Sequence, residues 1–203
     1  MNDNAQPLTL QEQKTEATKQ KILAAALEEF SERGFPGARL ENIAKLSGCN
    51  KALIYRHFKN KDGLFKATLR NKFNRRNDVR RKVPKDLAEA LVYWFEETNA
   101  DPHFMRIINH EALNYQGDDP VDHELREEHY RIQVQTIKDM QQSGMVSDSM
   151  DPQYLFLALT SLIAFPSAFP QIVKLMTGFE TSSDEFIERW NDFLQDLAAQ
   201  LTR

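Results

Sequence analysis

Apolar side chains recur along most of the 203 residues every three or four positions, which is the spacing of one face of an α-helix. No stretch shows the strict alternation of apolar and polar residues that marks a half-buried β-strand. The pattern therefore predicts an all-α fold of about nine helices. The clearest apolar stripes are Ile22, Leu23, Ala26, Leu27 and Phe30; Leu87, Leu91, Trp94 and Phe95; Phe104, Ile107, Ile108, Ala112 and Tyr115; and Phe186, Trp190, Phe193, Leu194 and Leu197.

Residues that favour the start of a helix precede several of the apolar stripes in the C-terminal part of the chain. Asp-Pro pairs occur at 101–102, 119–120 and 151–152. Asp can cap a helix N-terminus and Pro is tolerated at the first helical position, so three long helices are predicted to begin at these pairs. Ser182 and Glu185 have the spacing of a capping box and predict the start of the last helix.

One segment, 153–176, is apolar nearly all round and contains Pro166 and Pro170. A helix of this composition has to be covered on several sides. The cover comes either from a second subunit, which makes the segment a dimer surface, or from the core of the same subunit. The two prolines predict a kink or a break near residue 165.

Charge divides the chain into a basic and an acidic part. Residues 1–85 carry 19 Lys and Arg and 9 Asp and Glu, a net of +10, whereas residues 86–203 carry 7 and 21, a net of −14, and the two add to the overall −4. A basic front can bind a polyanion that an acidic back would repel. The two parts are therefore predicted to have different tasks.

Other whole-chain features limit the class of protein. The single cysteine, Cys49, cannot form an internal disulfide, which fits a reducing cytoplasm. The chain has no run of about 18 apolar residues, and the polar segment Met1–Gln13 lacks the apolar core of a signal peptide. We therefore expect a cytoplasmic protein without a membrane span.

Residues 40–58 have the pattern of two short helices joined by a sharp turn. Gly48 suits the left-handed conformation in which the first helix would end, and Asn50 can cap a second helix that starts at Lys51. This is the pattern of a helix-turn-helix whose second helix enters the major groove of DNA. Leu53 either contacts a thymine methyl group there or lies at the edge of the core. The residues spaced to face inward are Ile43, Ala44, Ile54 and Phe58.

Residues 17–73 resemble the DNA-binding region of the TetR family of transcriptional regulators, with no apparent gap. The rest of the chain resembles that family only in length and helical pattern. The resemblance implies a dimer that reads a near-palindromic operator and a C-terminal domain that binds a small-molecule effector. The residues that carry it are Ile22, Leu23, Ala25, Ala26, Phe30, Gly34, Phe35, Ile43, Ala44, Gly48, Leu53, Ile54, Tyr55, His57, Phe58, Lys61 and Leu64.

The resemblance also implies roles for individual residues. Tyr55 and His57 match positions that contact the DNA backbone, and Lys61 matches a lysine that meets a phosphate at a helix N-terminus. Residues 51–53 match positions that read base edges. The full set predicted to contact DNA is Arg39, Asn50, Lys51, Ala52, Leu53, Tyr55, Arg56, His57 and Lys61.

Three positions depart from residues that the family often has. Arg39 stands in place of a capping Ser or Thr, Asn50 in place of Ser, and Ala52 in place of Gly. The base preference of other members therefore does not transfer. The basic stretch 70–85 either adds phosphate contacts or forms a solvated face or a partner for the acidic domain. Its cationic residues are Arg70, Lys72, Arg75, Arg76, Arg80, Arg81, Lys82 and Lys85.

The motif and the resemblance together predict the domain organisation. Residues 1–13 are expected to be a mobile tail, 14–68 a three-helix helix-turn-helix domain, 69–84 a connecting helix, and 85–203 a larger effector-binding and dimerisation domain. Residues predicted to line the effector pocket are Trp94, Phe104, Met105, Arg106, Ile108, Asn109, His110, Glu111, Tyr130 and Phe156, together with Tyr115 and Met140. Residues predicted at the dimer interface are Phe165, Phe169, Phe186, Trp190, Phe193 and Leu197.

Catalytic and metal-binding patterns in the sequence are incomplete. His110 and Glu111 begin a zinc-protease pattern, but Asn114 stands where the second histidine belongs. None of the five histidines has a Glu three residues before it, as di-iron bundles require. We therefore expect a non-enzymatic regulator without cofactor or metal, whose partners are double-stranded DNA, a second copy of the chain and a small molecule. The alternative is a helical binding or scaffolding protein that keeps the helix-turn-helix without sequence-specific DNA binding.

Overall fold

The computed structural model describes residues 9–80, 82–114 and 120–202, and all regular secondary structure within these ranges is α-helical. This confirms the all-α prediction. These ranges contain ten helices rather than about nine, because the apolar segment 153–176 forms two. The helices are α1 (Leu10–Gly37), α2 (Leu40–Ser47), α3 (Lys51–Phe58), α4 (Lys61–Arg80), α5 (Leu87–Asn99), α6 (Pro102–Asn114), α7 (His123–Gln142), α8 (Pro152–Ala168), α9 (Pro170–Thr177) and α10 (Asp184–Leu201).

The described residues divide into two compact units, one up to Asn74 and one from Arg75 onwards. The first unit contains α1, α2, α3 and most of α4, and the second contains the end of α4 and helices α5 to α10. The division lies inside α4, within the segment 69–84 that the sequence assigned to a connecting helix.

The core of the first unit is built on the apolar stripe of α1, which packs against α2. Phe30 of this stripe meets Phe65 of α4 edge to face, with ring centroids 5.1 Å apart, a favoured geometry for aromatic pairs. Fully buried side chains in this core are Ile22, Ala26, Phe30, Ile43, Ile54, Leu64 and Leu69. The inward positions predicted for the two short helices are therefore confirmed at Ile43 and Ile54.

Helix α1 is longer than the sequence predicted. It begins at Leu10 behind a capping box formed by Thr9 and Glu12, so residues 10–13 are helical and not part of a tail. Near its other end Gly34 takes a φ of 65° and kinks the helix two residues before Pro36. A positive φ at this point requires glycine because a side chain would be strained there.

Helix α5 is the centre of the second unit and packs against α8 and α10. Phe95 is fully buried, and its ring lies 6.4 Å from the ring of Phe186. Burial of one large apolar side chain stabilises a fold by about 1.5–3 kcal/mol, so this core is the main source of the unit's stability. Its buried members include Leu87, Leu91, Phe95, Ile137, Val146, Leu155, Leu159, Val173, Phe186, Leu194, Ala198 and Leu201.

Two of the three Asp-Pro pairs mark helix starts as predicted. Helix α6 begins at Pro102, and α8 begins at Pro152 with the Asp151 carboxylate accepting a 2.8 Å hydrogen bond from the Gln153 N–H. The prediction at 119–120 is wrong, since α7 begins at His123. The physical reason is that Asp122 takes a left-handed conformation, with a φ of 56°, and so turns the chain just before the helix.

The capping box predicted from Ser182 and Glu185 is also wrong. Ser183 is the capping residue, and its hydroxyl accepts a hydrogen bond from the Phe186 N–H. Helix α10 therefore begins at Asp184, which places Glu185 one position too early for a box. Ser183 has an extended backbone and its hydroxyl donates to the Glu180 carbonyl, which fixes the turn before the helix.

The apolar segment breaks later than predicted. Helix α8 continues through Pro166, and the break lies at Phe169, with a bend of 93° between α8 and α9. Pro170 occupies the first position of α9, where its missing N–H is not needed, and it disfavours a helical conformation at Phe169. In the part of the chain that the structure describes, no single helix is long and apolar enough to cross a membrane. Helices α8 and α9 taken together would be, judged by length and composition only.

Candidate DNA-binding surface and effector cavity

The turn between α2 and α3 has the geometry that its sequence predicts. Gly48 takes a φ of 67° and a ψ of 18°, and its N–H bonds back to the carbonyls of Ala44 and Lys45. A Cβ added at Gly48 would meet no atom within 4 Å. The glycine is therefore needed for its left-handed backbone and not for space.

Asn50 caps the second helix of the motif, as predicted. Its Oδ1 accepts a 2.9 Å hydrogen bond from the Leu53 N–H. Fixing the first turn of α3 in this way orients its outward face. On that face the side chains of Lys51, Ala52, Tyr55 and Arg56 are exposed, and those of Leu53 and His57 are half-buried. Leu53 is half-buried, so part of its side chain is accessible beside the core.

A buried carboxylate replaces the cap that α2 lacks. Arg39 makes no side-chain capping bond, as expected for arginine. Instead Glu29 of α1, only 4% exposed, accepts a 2.9 Å bond from the Arg39 N–H and a 3.0 Å bond from Asn42 Nδ2. An anion at a helix N-terminus is stabilising, so Glu29 positions α2 and with it the turn. Sequence reasoning missed this residue; the signal was a Glu on the inward stripe of α1, next to Phe30.

Lys61 lies at the start of α4, where the resemblance implies a phosphate contact. Its ammonium donates a 3.2 Å hydrogen bond to the Pro36 carbonyl and lies 4.9 Å from the centre of the Phe35 ring. Lys61 therefore braces the C-terminal end of α1. Next to it the Asn60 Oδ1 accepts from the Gly63 N–H at 2.7 Å, which caps α4.

A mainly apolar cavity of about 580 Å³ opens between α5, α7 and α8. Of the residues predicted to line the effector pocket, Trp94, Phe156 and Met140 line this cavity. Lys85, Gln133, Thr136, Asp139, Ser143 and Thr160 supply its polar groups. A volume of this size suits a small-molecule ligand, for which pockets measure roughly 300–1,000 Å³.

The predicted pocket residues of α6 do not line this cavity. Glu111 forms an ion pair with Arg126 at 2.7 Å, and Asn109 donates to the Ala168 carbonyl at 3.4 Å. Tyr130 lines a different groove, along the charged face of α7. The others on α6 are Phe104, Met105, Arg106, Ile108 and His110, of which Phe104 is buried and Arg106 is exposed. Tyr115 lies outside the described residues.

One residue of the basic stretch has turned inward. Arg76 is half-buried, and its guanidinium lies 5.0 Å from the ring centre of Trp94 and 4.3 Å from that of Phe104. It also donates to the Thr98 hydroxyl at 3.2 Å. Burial lowers the pKa of Arg76 from its usual high value. Trp94 therefore both lines the cavity and packs on a residue of α4. Arg81, also in this stretch, lies outside the described residues.

Three of the six predicted dimer residues are exposed phenylalanines: Phe165, Phe169 and Phe193 are 41%, 45% and 45% exposed. Phe186, in contrast, is buried in the core of its own subunit, and Trp190 and Leu197 are half-buried. We call the exposed apolar surface of α8, α9 and α10 the α8–α10 face. Its further members are Tyr154, Leu157, Ile172, Leu175 and Met176.

Comparison with known proteins identifies relatives of both units. Residues 22–68 match the sequence model of bacterial regulatory proteins of the tetR family, and residues 86–190 match that of the tetracyclin repressor-like C-terminal domain. The chain is 32% identical to the HTH-type transcriptional repressor SCO4008 of Streptomyces coelicolor, over 80% of this chain and 85% of that protein. It is 26% identical to the HTH-type transcriptional repressor NicS of Pseudomonas putida, over 92% of each. The solved structure of SCO4942 from Streptomyces coelicolor superposes with a TM-score of 0.75, at 21% identity, over 90% of this chain and 97% of that one.

Proposed function

The chain belongs to the tetR family of bacterial regulatory proteins, and we propose that it is a DNA-binding transcriptional repressor that a small molecule releases from its operator. The observation that carries the proposal is the capped, outward-facing α3 in the first unit. The cavity in the second unit supports the release by a ligand. The relatives are transcriptional regulators, and we propose no catalytic activity.

The proposed DNA surface consists of the outward face of α3 and the residues beside it. Residues 51–53, at the N-terminal end of α3, read base edges, since that end of a recognition helix points into the groove. Tyr55 and His57 contact the backbone, and Arg39 and Lys61 meet phosphates. Asn50 contributes by fixing the first turn, and Arg56 adds a cation to the same face.

Sequence-specific binding tests this proposal against the scaffolding alternative. Replacing Tyr55 with Ala is expected to weaken binding to a selected operator about tenfold per subunit, since a hydrogen bond to a charged phosphate is lost. The measurement is fluorescence anisotropy with the operator duplex. Tyr130→Ala, an exposed tyrosine of α7, is the matched control and is expected to bind as the wild type does. Equal binding by both variants would show that Tyr55 makes no DNA contact, and a wild type that prefers no sequence would favour the scaffolding protein.

We propose that two copies pair through the α8–α10 face, which places two copies of α3 on one near-palindromic operator. The support is the number of large apolar side chains that this face exposes, since soluble monomers rarely expose extended apolar patches. Phe165, Phe169 and Phe193 carry the interface, and Trp190 and Leu197 border it. Phe186 supports the face from inside the core.

We propose that the effector is a mainly apolar molecule that binds the cavity between α5, α7 and α8. Such a molecule would lie against Trp94, whose ring also packs on Arg76 of α4. The ligand would then favour a conformer in which the two recognition helices no longer match the half-site spacing. The predicted α6 residues do not line this cavity, and two of them, Glu111 and Asn109, bond to Arg126 and to the Ala168 carbonyl.

Filling the cavity is expected to abolish the response to the effector. Ala90 lines the cavity, and Ala90→Phe would occupy part of its volume. A screen of small molecules by thermal shift should find compounds that stabilise the wild type, quench Trp94 fluorescence and release DNA. These compounds should fail with Ala90→Phe and act normally on Ala112→Phe, which changes an exposed alanine of α6. Compounds that act equally on both variants would place the effector elsewhere.

A further inference from the structure

An ion pair joins the two helices of the DNA-binding motif. Lys51, the first residue of α3, places its ammonium 2.6 Å from a carboxylate oxygen of Glu41, in the first turn of α2. Both side chains are exposed, at 47% and 64%. The hydrogen bond between them lowers the pKa of Glu41 and raises that of Lys51, so both groups stay charged near neutral pH.

As a contribution to stability, an exposed pair of this kind is weak. This ion pair differs from other exposed pairs of the chain in its position. Lys51 stands at the N-terminal end of the recognition helix, which is the end that reaches base edges. The bond to Lys51 brings the Glu41 carboxylate to the same place. A carboxylate is repelled by phosphates, so its favourable partners on DNA are amino groups of the bases.

We propose that Glu41 and Lys51 act together as one reading unit that selects a single G·C base pair in each half of the operator. This inference rests on the proposed function, because it needs α3 in the major groove. It assigns a specificity role to Glu41, which the resemblance does not include among the DNA contacts.

The donor and acceptor pattern of the pair matches one base pair. The Lys51 ammonium can donate to O6 and N7 of guanine, and the Glu41 carboxylate can accept from N4 of the cytosine paired with it. These base groups lie side by side in the major groove, and the ammonium and carboxylate lie side by side on the protein. An A·T pair fits less well, since its amino group, N6 of adenine, lies between the two acceptors N7 and O4, and the ammonium cannot donate to two adjacent acceptors as it does on guanine.

The ion pair also predicts that the wild type binds DNA of unrelated sequence more weakly than a variant without Glu41 does. A lysine held by a carboxylate releases fewer counterions from the DNA than a free lysine would. Removing Glu41 frees Lys51 to bind a phosphate. The variant Glu41→Ala is therefore expected to bind random duplex more tightly, with a salt dependence of log K against log[salt] that is steeper by about 0.9 per subunit.

The experiment is a selection from a pool of random duplexes with the full-length wild type, Glu41→Ala, Lys51→Ala and the double variant. Fluorescence anisotropy then measures the affinity of each protein for duplexes that carry each of the four base pairs at every enriched position. The control is Glu16→Ala, which removes an exposed carboxylate that pairs with Lys19 on α1 at 3.7 Å. Thermal melting checks that each variant folds.

We expect the wild type to prefer G·C at one position of each half-site by about tenfold. Glu41→Ala, Lys51→Ala and the double variant should lose this preference to within about twofold while keeping the others. Glu16→Ala should keep all of them. A Glu41→Ala variant that selects the wild-type sequence would overturn the inference and leave the proposed function intact. A wild type that enriches no sequence would overturn both.

Discussion

Replacing Glu111 with Gln is expected to destabilise the C-terminal unit by about 3–5 kcal/mol, the usual cost of removing one partner from a buried ion pair. Arg126 donates to both carboxylate oxygens of Glu111, at 2.9 and 2.7 Å, and the two side chains are 11% and 6% exposed. Glu111 also accepts from the Val121 N–H at 3.0 Å. The variant leaves a buried cation without its counter-charge and weakens the turn before α7.

The matched control is Glu128→Gln, which breaks an ion pair with Arg131 on the same helix α7. Because that pair is exposed, water replaces the lost interaction and the stability should be unchanged within error. Urea unfolding followed by tryptophan fluorescence is the measurement, since both tryptophans, Trp94 and Trp190, belong to the C-terminal unit. Equal stabilities for the two variants would show that the Glu111–Arg126 pair is not buried as described.

Phe165→Glu is expected to convert the protein into a monomer at micromolar concentration and to weaken operator binding about 100-fold or more. Phe165 is an exposed member of the α8–α10 face, and its ring lies 5.3 Å from that of Phe169. A charge buried in a paired apolar surface is costly. Without pairing, each subunit binds its half-site alone and loses the high effective concentration that a linked partner provides.

Size-exclusion chromatography with light scattering measures the subunit number, and anisotropy measures operator binding. Leu113→Glu is the control, since it places the same charge at an exposed apolar position of α6 outside the face. We expect Leu113→Glu to remain a dimer. A dimeric Phe165→Glu, or a wild type that is monomeric at micromolar concentration, would contradict the proposed pairing.

The features that the sequence predicted well depend on local chemistry. Gly48 and Asn50 act on residues within a few positions of themselves, so their turn and cap could be recognised without knowledge of the fold. The starts of α6 and α8 were found for the same reason. The start of α7 was not, because it depends on the left-handed Asp122, a residue type that does not require that conformation.

Contacts between distant parts of the chain could not be predicted in this way. Apolar periodicity shows that one face of a helix is buried, but not which helix covers it. For this reason most of the predicted pocket residues were placed on α6, although residues of α5, α7 and α8 line the cavity. Glu29 and Arg76 were missed because each acts on residues at least ten positions away, the Arg39 N–H and the Thr98 hydroxyl. Phe186 was placed at the dimer interface for the same reason. The apolar stripe of α10 shows which residues are apolar, but not that Phe186 lies in the core while Phe193 is exposed.

Sequence-specific binding of DNA by the first unit is measured by fluorescence anisotropy over a salt series. The probe is the duplex upstream of the protein's own gene, compared with a shuffled duplex of equal length. We expect binding to the upstream duplex to be at least 1,000-fold tighter than to the shuffled one, with affinities for both falling steeply as salt rises. Absence of binding to either duplex at low salt would rule out the proposed function and leave the helix-turn-helix as inherited architecture.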